Sequence, residues 1–402
     1  MFSQIVSVDM PLWHRRLWPL TISRPIAELR IGIMRIREKW SFHFPETPVF
    51  LMTVDYLADF FPCQPAQGSV LYIGGGVLPN ASLLQEIQRL AIGESLWAED
   101  YLLAFHAPHS YASTHEVWEA ASLQASQYTY LFIIRDLPDI FALNRTAIET
   151  DISAIRQQRR STSVTDKHTA VYAADNIFIE QGASIKATVL NAETGPIYIG
   201  KNAVVGEGSI IRGAFALCEG AQLNMGTIIR GDTTISEYCK MGGEISNSVF
   251  LGYSNKVHEG FLGNSLIGQY CNLGAGTTVS NMKNTMGNIK LWNYVNNQAE
   301  ATDRRFVGLF LGDYSFTGIG TTFNTATVGG PVMNLFDAGL PPRFIPPFTW
   351  GTPTQQRIYL FDEFIKTARR IKLSKGQAWT VADTALWKAI FLQTADYHIK
   401  SV

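Results

Sequence analysis

The most constraining feature of this chain is an aliphatic residue that recurs every six positions: Ile199, Val205, Ile211, Leu217, Leu223, Ile229, Ile235 and Met241. Two positions before most of them stands a small residue, Ala203, Ser209, Ala221, Thr227, Thr233 or Cys239, with Ile197 and Phe215 as bulky exceptions. Neither the helical period nor simple alternation sustains an interval of six, whereas a hexapeptide parallel β-helix does. In that architecture three hexads make one triangular coil. The aliphatic side chain fills the narrow interior, the small one fits beside it near the corner, and coils stack at roughly 4.8 Å. Gly200, Gly206, Gly242, Gly252, Gly268 and Gly274 follow aliphatic positions, where a corner suits a residue without a Cβ. After Met241 the phase is expected to move to Ile245, Leu251 and Val257, then to Phe261, Ile267, Leu273 and Val279. Each shift reads as a small loop at a corner, and loops on a rigid scaffold are natural places for function.

The 402 residues suffice for two domains or three small units. With 33 basic against 34 acidic residues, neither nucleic acid nor a membrane surface is expected as the main partner. No apolar run reaches the length of a membrane span and the N-terminus lacks a secretory pattern, so a cytoplasmic protein is expected. The four cysteines form no CxxC pair, and Cys239 and Cys271 fall at small core positions.

Residues 1 to about 140 read as an α/β unit, with strands at Val49–Val54, Val70–Ile73 and Tyr130–Ile134 and a helix at Ala81–Leu90. Arg15, Arg16, Arg24, Arg30 and Lys39 gather near its start, where guanidinium forks suit a phosphate or simply face solvent from a helix. Asp136 and Asp139 follow the third strand, placed either to hold a phosphate-bound metal or to cap the next helix. The basic run at 157–161 marks the domain junction. The β-helix is interrupted by the polar loop Met282–Phe306, which carries Lys283, Lys290, Trp292 and Tyr294. Inward positions return at Leu311, Ile319 and Val328. Thr354–Lys372 and Thr380–Leu392 read as tail helices covering the open end of the prism, the second opened by Thr380 and Asp383 in capping-box spacing.

His258, the lone histidine of the regular coils, follows the inward position assigned to Val257 and is expected to point outward. Its ordinary pKa lets it accept a proton near neutrality, as a general base does; an ordinary surface or interface histidine is the alternative. One histidine cannot supply the three ligands of an interfacial zinc site, so metal hydrolysis is not expected.

These residues resemble a known family. The hexads, His258, and Asn272 in AsnLeuGlyAlaGlyThr are similar to the acetyltransferase half of the bifunctional N-acetylglucosamine-1-phosphate uridylyltransferase/glucosamine-1-phosphate acetyltransferase family. More closely, the chain resembles bacterial relatives regarded as sugar nucleotidyltransferases. The likeness rests on LTISRPIAELRIGIMRIREKW at 20–40, on Asp139–Asn144, on Lys290–Tyr294, and on the blocks at 243–256 and 341–351. The resemblance implies a homotrimer that binds acetyl-CoA between subunits near the Met282–Phe306 loop. It implies His258 as the base that deprotonates a sugar amine and Asn272 as its positioning partner, with preorganised donors meeting the oxyanion. It further implies Arg230 on the sugar phosphate, with Lys256 or Lys290 compensating for a lysine missing near Ser246. Phe261 stands where a tyrosine is expected, and ProLeuThrIleSerArgPro replaces the glycine-rich loop of ordinary nucleotidyltransferases. GlyGlyGly at 74–76 after the Val70–Ile73 strand offers a close backbone approach for a phosphate.

The expected fold is thus an α/β nucleotidyltransferase-like domain with linker helix (1–160), a left-handed parallel β-helix (161–350) and a helical tail (351–402). The leading expectation is acetyl-CoA-dependent N-acetylation of an amino-sugar phosphate or nucleotide amino sugar. The alternatives are nucleotidyl transfer to a sugar-1-phosphate, with Arg15, Arg24 and Lys39 on phosphates and Mg²⁺ at Asp136 or Asp139, and a non-catalytic ligand-sensing module.

Overall fold

A computed structural model describes residues 2–399. The chain divides into two units. The first comprises Met1–Leu17, Ser23–Leu29 and Met34–Asp139, the second Trp18–Ile22, Arg30–Ile33 and Ile140–Val402.

The first unit is built on six strands: β1 (Gln4–Val8), β2 (Val49–Met52), β3 (Val70–Gly74), β4 (Ser95–Ala98), β5 (Tyr101–Ala107) and β6 (Ala125–Gln127). They lie in the order β2-β1-β3-β5-β4-β6. β1, β2 and β3 are parallel, and β5 runs antiparallel to both of its neighbours. Val6, Val8, Val70, Tyr72 and Phe105 are buried in one apolar cluster, so alternate residues of three strands face the same layer. The expected helix forms at Ala81–Arg89, with the Asn80 side chain accepting from the Leu83 amide at its start. The third expected strand does not form. Tyr130–Ile134 keeps a single bridge, Val77 to Ile133, because its backbone bonds go to the irregular segment after β3: Ile134 N donates to Gly76 O and Leu78 N to Phe132 O.

The second unit is the expected parallel β-helix. Its sheets, among the described residues, hold nine, ten and six strands, the last extended by the pair Thr278–Val279 and Thr322–Phe323. All eight hexad positions from Ile199 to Met241 are buried, as are the small residues two before them. Each coil lies directly on the last, so Ile199 pairs with Leu217 and Leu217 with Ile235.

Beyond Met241 the expected phase is one residue late at two positions and one early at the third. Ile235 pairs with Phe250 and Met241 with Lys256, while Ile245 pairs with Leu262. Phe250, Lys256 and Leu262 therefore face inward in place of Leu251, Val257 and Phe261. The step from Met241 to Ile245 is the expected one, whereas the second expected jump is split between the steps Ile245 to Phe250 and Leu262 to Ile267, and the ladder holds register by backbone pairing whatever side chain results. The phase recovers at Ile267, Leu273 and Val279, all buried. In the later coils Thr317 and Phe323 stack on Leu273 and Val279. Ile319 is exposed at a corner, and Gly329 rather than Val328 pairs with Leu311.

One corner of the prism carries a ladder of aromatic rings that the hexad pattern does not announce. Tyr238, Tyr253, Tyr270 and Tyr314 stack at centroid distances of 5.3, 5.1 and 4.8 Å. Each sits in left-handed backbone, with φ of 56°, 56°, 58° and 55°. That conformation is uncommon for a bulky residue, and here stacking along the ladder accompanies it.

A helix clothes one outer face of the prism, and two more run along one of its corners. The linker helix Asn144–Gln158 buries Ile148, Ile152 and Ile155 against Phe178, Tyr198 and Ala216 on the nine-stranded sheet. The insert Met282–Phe306 forms a hairpin, Lys290–Asn293 with Gln298–Ala301, whose Trp292 stacks on Phe344 at 4.0 Å. The tail helices are Phe361–Ser374 and Val381–Gln393, and Thr380 and Asp383 form the expected capping box. They run along the tyrosine corner: Phe364 and Trp387 pack on Tyr314, Gln377 bonds Tyr270, and Lys375 donates to Asn255 Oδ1. The segment before them, expected as helix from Thr354, instead adds the antiparallel strand Gln356–Ile358 to Thr349–Gly351.

Within this unit the loop Arg30–Ile33 is clasped by buried polar groups. Asn144 Oδ1 accepts from Gly32 N at 2.8 Å, and Asp151 Oδ2 accepts from Ile33 N at 2.7 Å. Thr234 donates to Gly32 O at 2.9 Å. Gly32 has φ of 71°, and a Cβ there would lie 2.6 Å from Asp151 Oδ2 and 2.7 Å from the Ala147 carbonyl carbon. Gly32→Ala is predicted to cost about 2 kcal/mol or more, from backbone conformation and crowding together; an unchanged thermal unfolding midpoint would contradict the clasp.

Candidate functional site

The corner that displays His258 is organised from inside the prism. Lys256, at an inward position, is 1% exposed, an ammonium stacked on the apolar Met241. Its Nζ donates to the carbonyls of Gly242 at 3.2 Å, His258 at 3.0 Å and Glu259 at 3.3 Å. A buried ammonium is tolerable only when its donors are met, and a corner, where carbonyls leave the ladder, supplies acceptors. Burial lowers the Lys256 pKa from 10.5 to about 8, and Glu259 opposes the shift. The bonds tie the His258–Glu259 turn to Gly242 on the preceding coil. Space is equally tight there, since a Cβ on Gly242 would lie 1.9 Å from Val257 O. The His258 side chain is exposed.

Asn255, just before Lys256, faces outward. Its Nδ2 lies 3.4 Å from Asn272 Oδ1 on the next coil, and its Oδ1 accepts from Lys375. Asn272 is exposed on the strand paired with that of Asn255. Asn224 Nδ2 donates to Val257 O at 3.2 Å, a further tie on the turn. The exposed imidazole thus follows a strand whose outer face carries two amides and the end of a tail helix.

Arg230 and Phe261 lie on the outer face of the third sheet. Arg230 is exposed and 3.2 Å from Glu244 Oε1, and the Glu244 strand pairs with the Phe261 strand. The Phe261 ring lies over Gly263, where a Cβ would come within 2.6 Å of it. Lys290 is exposed on the hairpin that packs on Phe344, and Phe344 belongs to the nine-stranded sheet.

Most of the charged groups proposed to bind phosphate are already engaged. Arg30 is buried and pairs with Glu237 at 2.8 Å, with a further bond to Ile33 O. Arg24 is buried beside Ser23 Oγ, Lys39 is buried in the helix Ile36–His43, and Arg15 is half-buried. Asp136 is ion-paired to Arg16 at 2.7 Å. Asp139 accepts from the amides of Arg135 and Asp136, the capping arrangement rather than an open ligand. Among the described residues no cluster of three His, Cys, Asp or Glu could hold a metal ion.

The crevice beyond the carboxyl ends of β1 and β3, where an open α/β sheet ordinarily receives its ligand, is occupied by the unit's own side chains. Trp13, on the helix Pro11–Arg16, lies against Gly74 and Gly76 and donates to Ile134 O at 2.7 Å. Those glycines thus admit an indole. Asp9, at the end of β1, is 1% exposed and accepts from Thr53 Oγ1 at 2.7 Å and from the Ile26 amide. Burial pushes its pKa up from 3.8 to about 7, against the pull of both bonds.

Two signals missed in the sequence become legible beside this geometry. Each ladder tyrosine stands three residues before an inward position, as Tyr238 before Met241 and Tyr270 before Leu273. By the same rule Tyr253 marks Lys256, and so the whole corner. Asp9, the first acidic residue of the chain, stands two residues before Pro11 at a strand end, which is the position of a ligand-facing or loop-pinning carboxylate.

The parallel half-sheet, its carboxyl-end crevice and the clasped linker helix together define the region that comparison then assigns. Residues 5–160 match the sugar nucleotidyl transferase family. No curated protein matches the chain. The sugar nucleotidyl transferase match, joined to the β-helix, indicates a transferase of nucleotide-sugar metabolism with small-molecule sugar substrates. Among the described residues no helix is long and apolar enough to cross a membrane.

Two pH dependences follow. Between about pH 8 and 10.5 the unfolded chain holds more protons than the folded one at Lys256, so wild-type stability should rise relative to Lys256→Met across that window. Coincident curves would show that the lysine is not buried as described. At Asp9 the sign is opposite: the folded state holds the extra proton between about pH 4 and 7, so stability should fall across that range. Asp9→Asn should flatten the decline, as urea titrations at several pH values would report.

Proposed function

We propose that the chain is an acetyl-CoA-dependent N-acetyltransferase acting on an amino-sugar phosphate or a nucleotide-linked amino sugar, with His258 as general base. The observation that carries this reading is the Lys256 anchor, which holds the turn bearing an exposed imidazole through three carbonyl bonds. A base must keep its lone pair toward the substrate amine, and a turn fixed from within lowers the cost of that orientation. Asn272, on the adjoining coil, would orient the amine. Arg230 lies on the adjoining sheet face, where it would attract a substrate phosphate, its charge only partly offset by Glu244. Phe261 gives that face a flat apolar surface against which a sugar ring can lie. Acetyl-CoA would supply the thioester. His258 would take the amine proton as the amine attacks the thioester carbonyl, the carbon–sulfur bond would break, and coenzyme A would leave as a thiolate that takes up that proton.

The third sheet face supports the expected homotrimer. Ile210 and Ile228 are 49% and 40% exposed on it, beside the outward arginines Arg212 and Arg230. A subunit contact here would bury these two isoleucines.

Nucleotidyl transfer by the N-terminal unit is the second reading, favoured by the family match. The Trp13-filled crevice and the engaged aspartates weigh against it. Cytoplasmic location fits either reaction.

Thiol release from acetyl-CoA should depend on one member of a panel of amino-sugar phosphates and nucleotide amino sugars. His258→Ala should lower that rate by about a hundredfold or more with the fold retained. Wild-type turnover in His258→Ala would sink the assignment. Pyrophosphate release from nucleoside triphosphates with sugar-1-phosphates, without any acetyl transfer, would move the activity to the N-terminal unit.

A further inference from the structure

A second concave site lies away from the His258 corner, between the strand Gln356–Ile358 and the helix Phe361–Ser374. It is a cavity of about 470 Å³ with Trp350, Ile358 and Tyr359 among its lining residues and Arg357, Arg370 and Glu363 beside them. Its geometry follows from pairing. Trp350 stands directly across the antiparallel ladder from Arg357, so both side chains project on the same side of the sheet. Glu363, Thr367 and Arg370 recur at helical spacing and share one face of the helix. Tyr359 meets the Trp350 ring edge-on at 4.7 Å, Phe336 holds it from another side at 5.3 Å, and the Tyr359 hydroxyl shares a hydrogen bond with Thr367 at 3.0 Å. The indole is therefore fixed yet partly open to the cavity.

The charge at the site is unbalanced. Arg357 and Arg370 are exposed, and neither has an ion-pair partner among the described residues. Glu363 is the carboxylate of the lining, and it lies 2.6 Å from Lys366. A rigid indole, two free guanidinium forks and one carboxylate match a ligand with a flat ring, a phosphate and hydroxyl or amino donors. The volume is that of a small-molecule site.

We propose that this cleft binds a nucleoside phosphate, its base stacked on Trp350, its phosphate held by Arg357 and Arg370, and Glu363 accepting from a hydroxyl or amine. The same chemistry is presented by a free nucleotide and by the nucleotide end of a larger donor such as coenzyme A or a nucleotide sugar. The site does not depend on chemistry at His258, and its ligand should bind equally well to His258→Ala.

Isothermal titration of the full chain with AMP, UMP, coenzyme A and UDP-N-acetylglucosamine tests this, with adenosine and inorganic phosphate as part-ligands. At least one nucleoside phosphate should bind, and adenosine and phosphate should each bind at least about tenfold more weakly. Arg357→Gln combined with Arg370→Gln should weaken binding by at least about tenfold and flatten its salt dependence. Trp350→Phe should retain affinity and Trp350→Leu should lose it. Arg369→Gln, a neighbouring exposed position on the same helix, should behave as wild type in binding and unfolding. A larger donor that binds tighter than its own mononucleotide identifies the donor end as the source, whereas equal affinities identify the free nucleotide. Absence of nucleotide binding, or affinity unchanged in the double arginine variant, overturns the proposal.

Discussion

The second unit rests on the parallel backbone ladder between coils. Each strand inherits its register from the strand beneath it, so Ile199, Leu217 and Ile235 are stacked by hydrogen bonds before their side chains are considered. The side chains then decide how well the stack is filled. An interior position of an aliphatic or aromatic type contributes about 1.5–3 kcal/mol by leaving water. Where the ladder delivers a lysine to that position, the only solution is to bring acceptors to it, and the turn at His258 and Glu259 does so with its own carbonyls. Register, a buried charge and the display of one exposed imidazole are thus consequences of a single constraint.

The same ladder explains what surrounds it. Ala216 and Thr234 are small on the outer face of the nine-stranded sheet, and the linker helix and the Gly32 loop come close there. Asn144 and Asp151 reach from that helix to the amides of Gly32 and Ile33, which holds this loop of the N-terminal stretch without any ligand. Arg30 belongs to this arrangement through Glu237. Residues that read as a phosphate-binding start in sequence thus include several that hold backbone together. In the first unit Asp9 plays a comparable part, pinning the Ile26 amide and the Thr53 hydroxyl beside a crevice that Trp13 fills.

The β-helix was legible in the sequence because its inward positions repeat without interruption from Ile199 to Met241. The phase error after Met241 arose because hydrophobicity was the guide. Lys256 is polar and Val257 is not, yet the ladder places Lys256 inside. A rule built on the corner tyrosines, whose left-handed backbone fixes position regardless of hydropathy, locates Lys256 correctly. His258 is exposed as expected, although the inward residue before it is Lys256 and not Val257. The fate of Arg24, Arg30, Lys39 and Asp136 was not legible, since a guanidinium or carboxylate reads alike whether it meets a ligand or a partner far away in sequence, as Arg30 meets Glu237. Tyr130–Ile134 failed as a strand because apolar character does not reveal that the neighbouring backbone is irregular.

In a transferase that joins a region matching the sugar nucleotidyl transferase family to a β-helix, the exposed imidazole of His258 sits at a turn held from inside the prism. We propose that Lys256, buried in the prism, acts on function by positioning, through the backbone of His258, and touches no substrate itself. Acceptor-dependent thiol release by Lys256→Met, followed as kcat and KM separately at pH 7 on protein whose unfolding is still cooperative, tests it most directly. The account predicts a kcat lowered by about tenfold or more, with KM for acetyl-CoA close to wild type. A wild-type kcat in a folded Lys256→Met protein would contradict it.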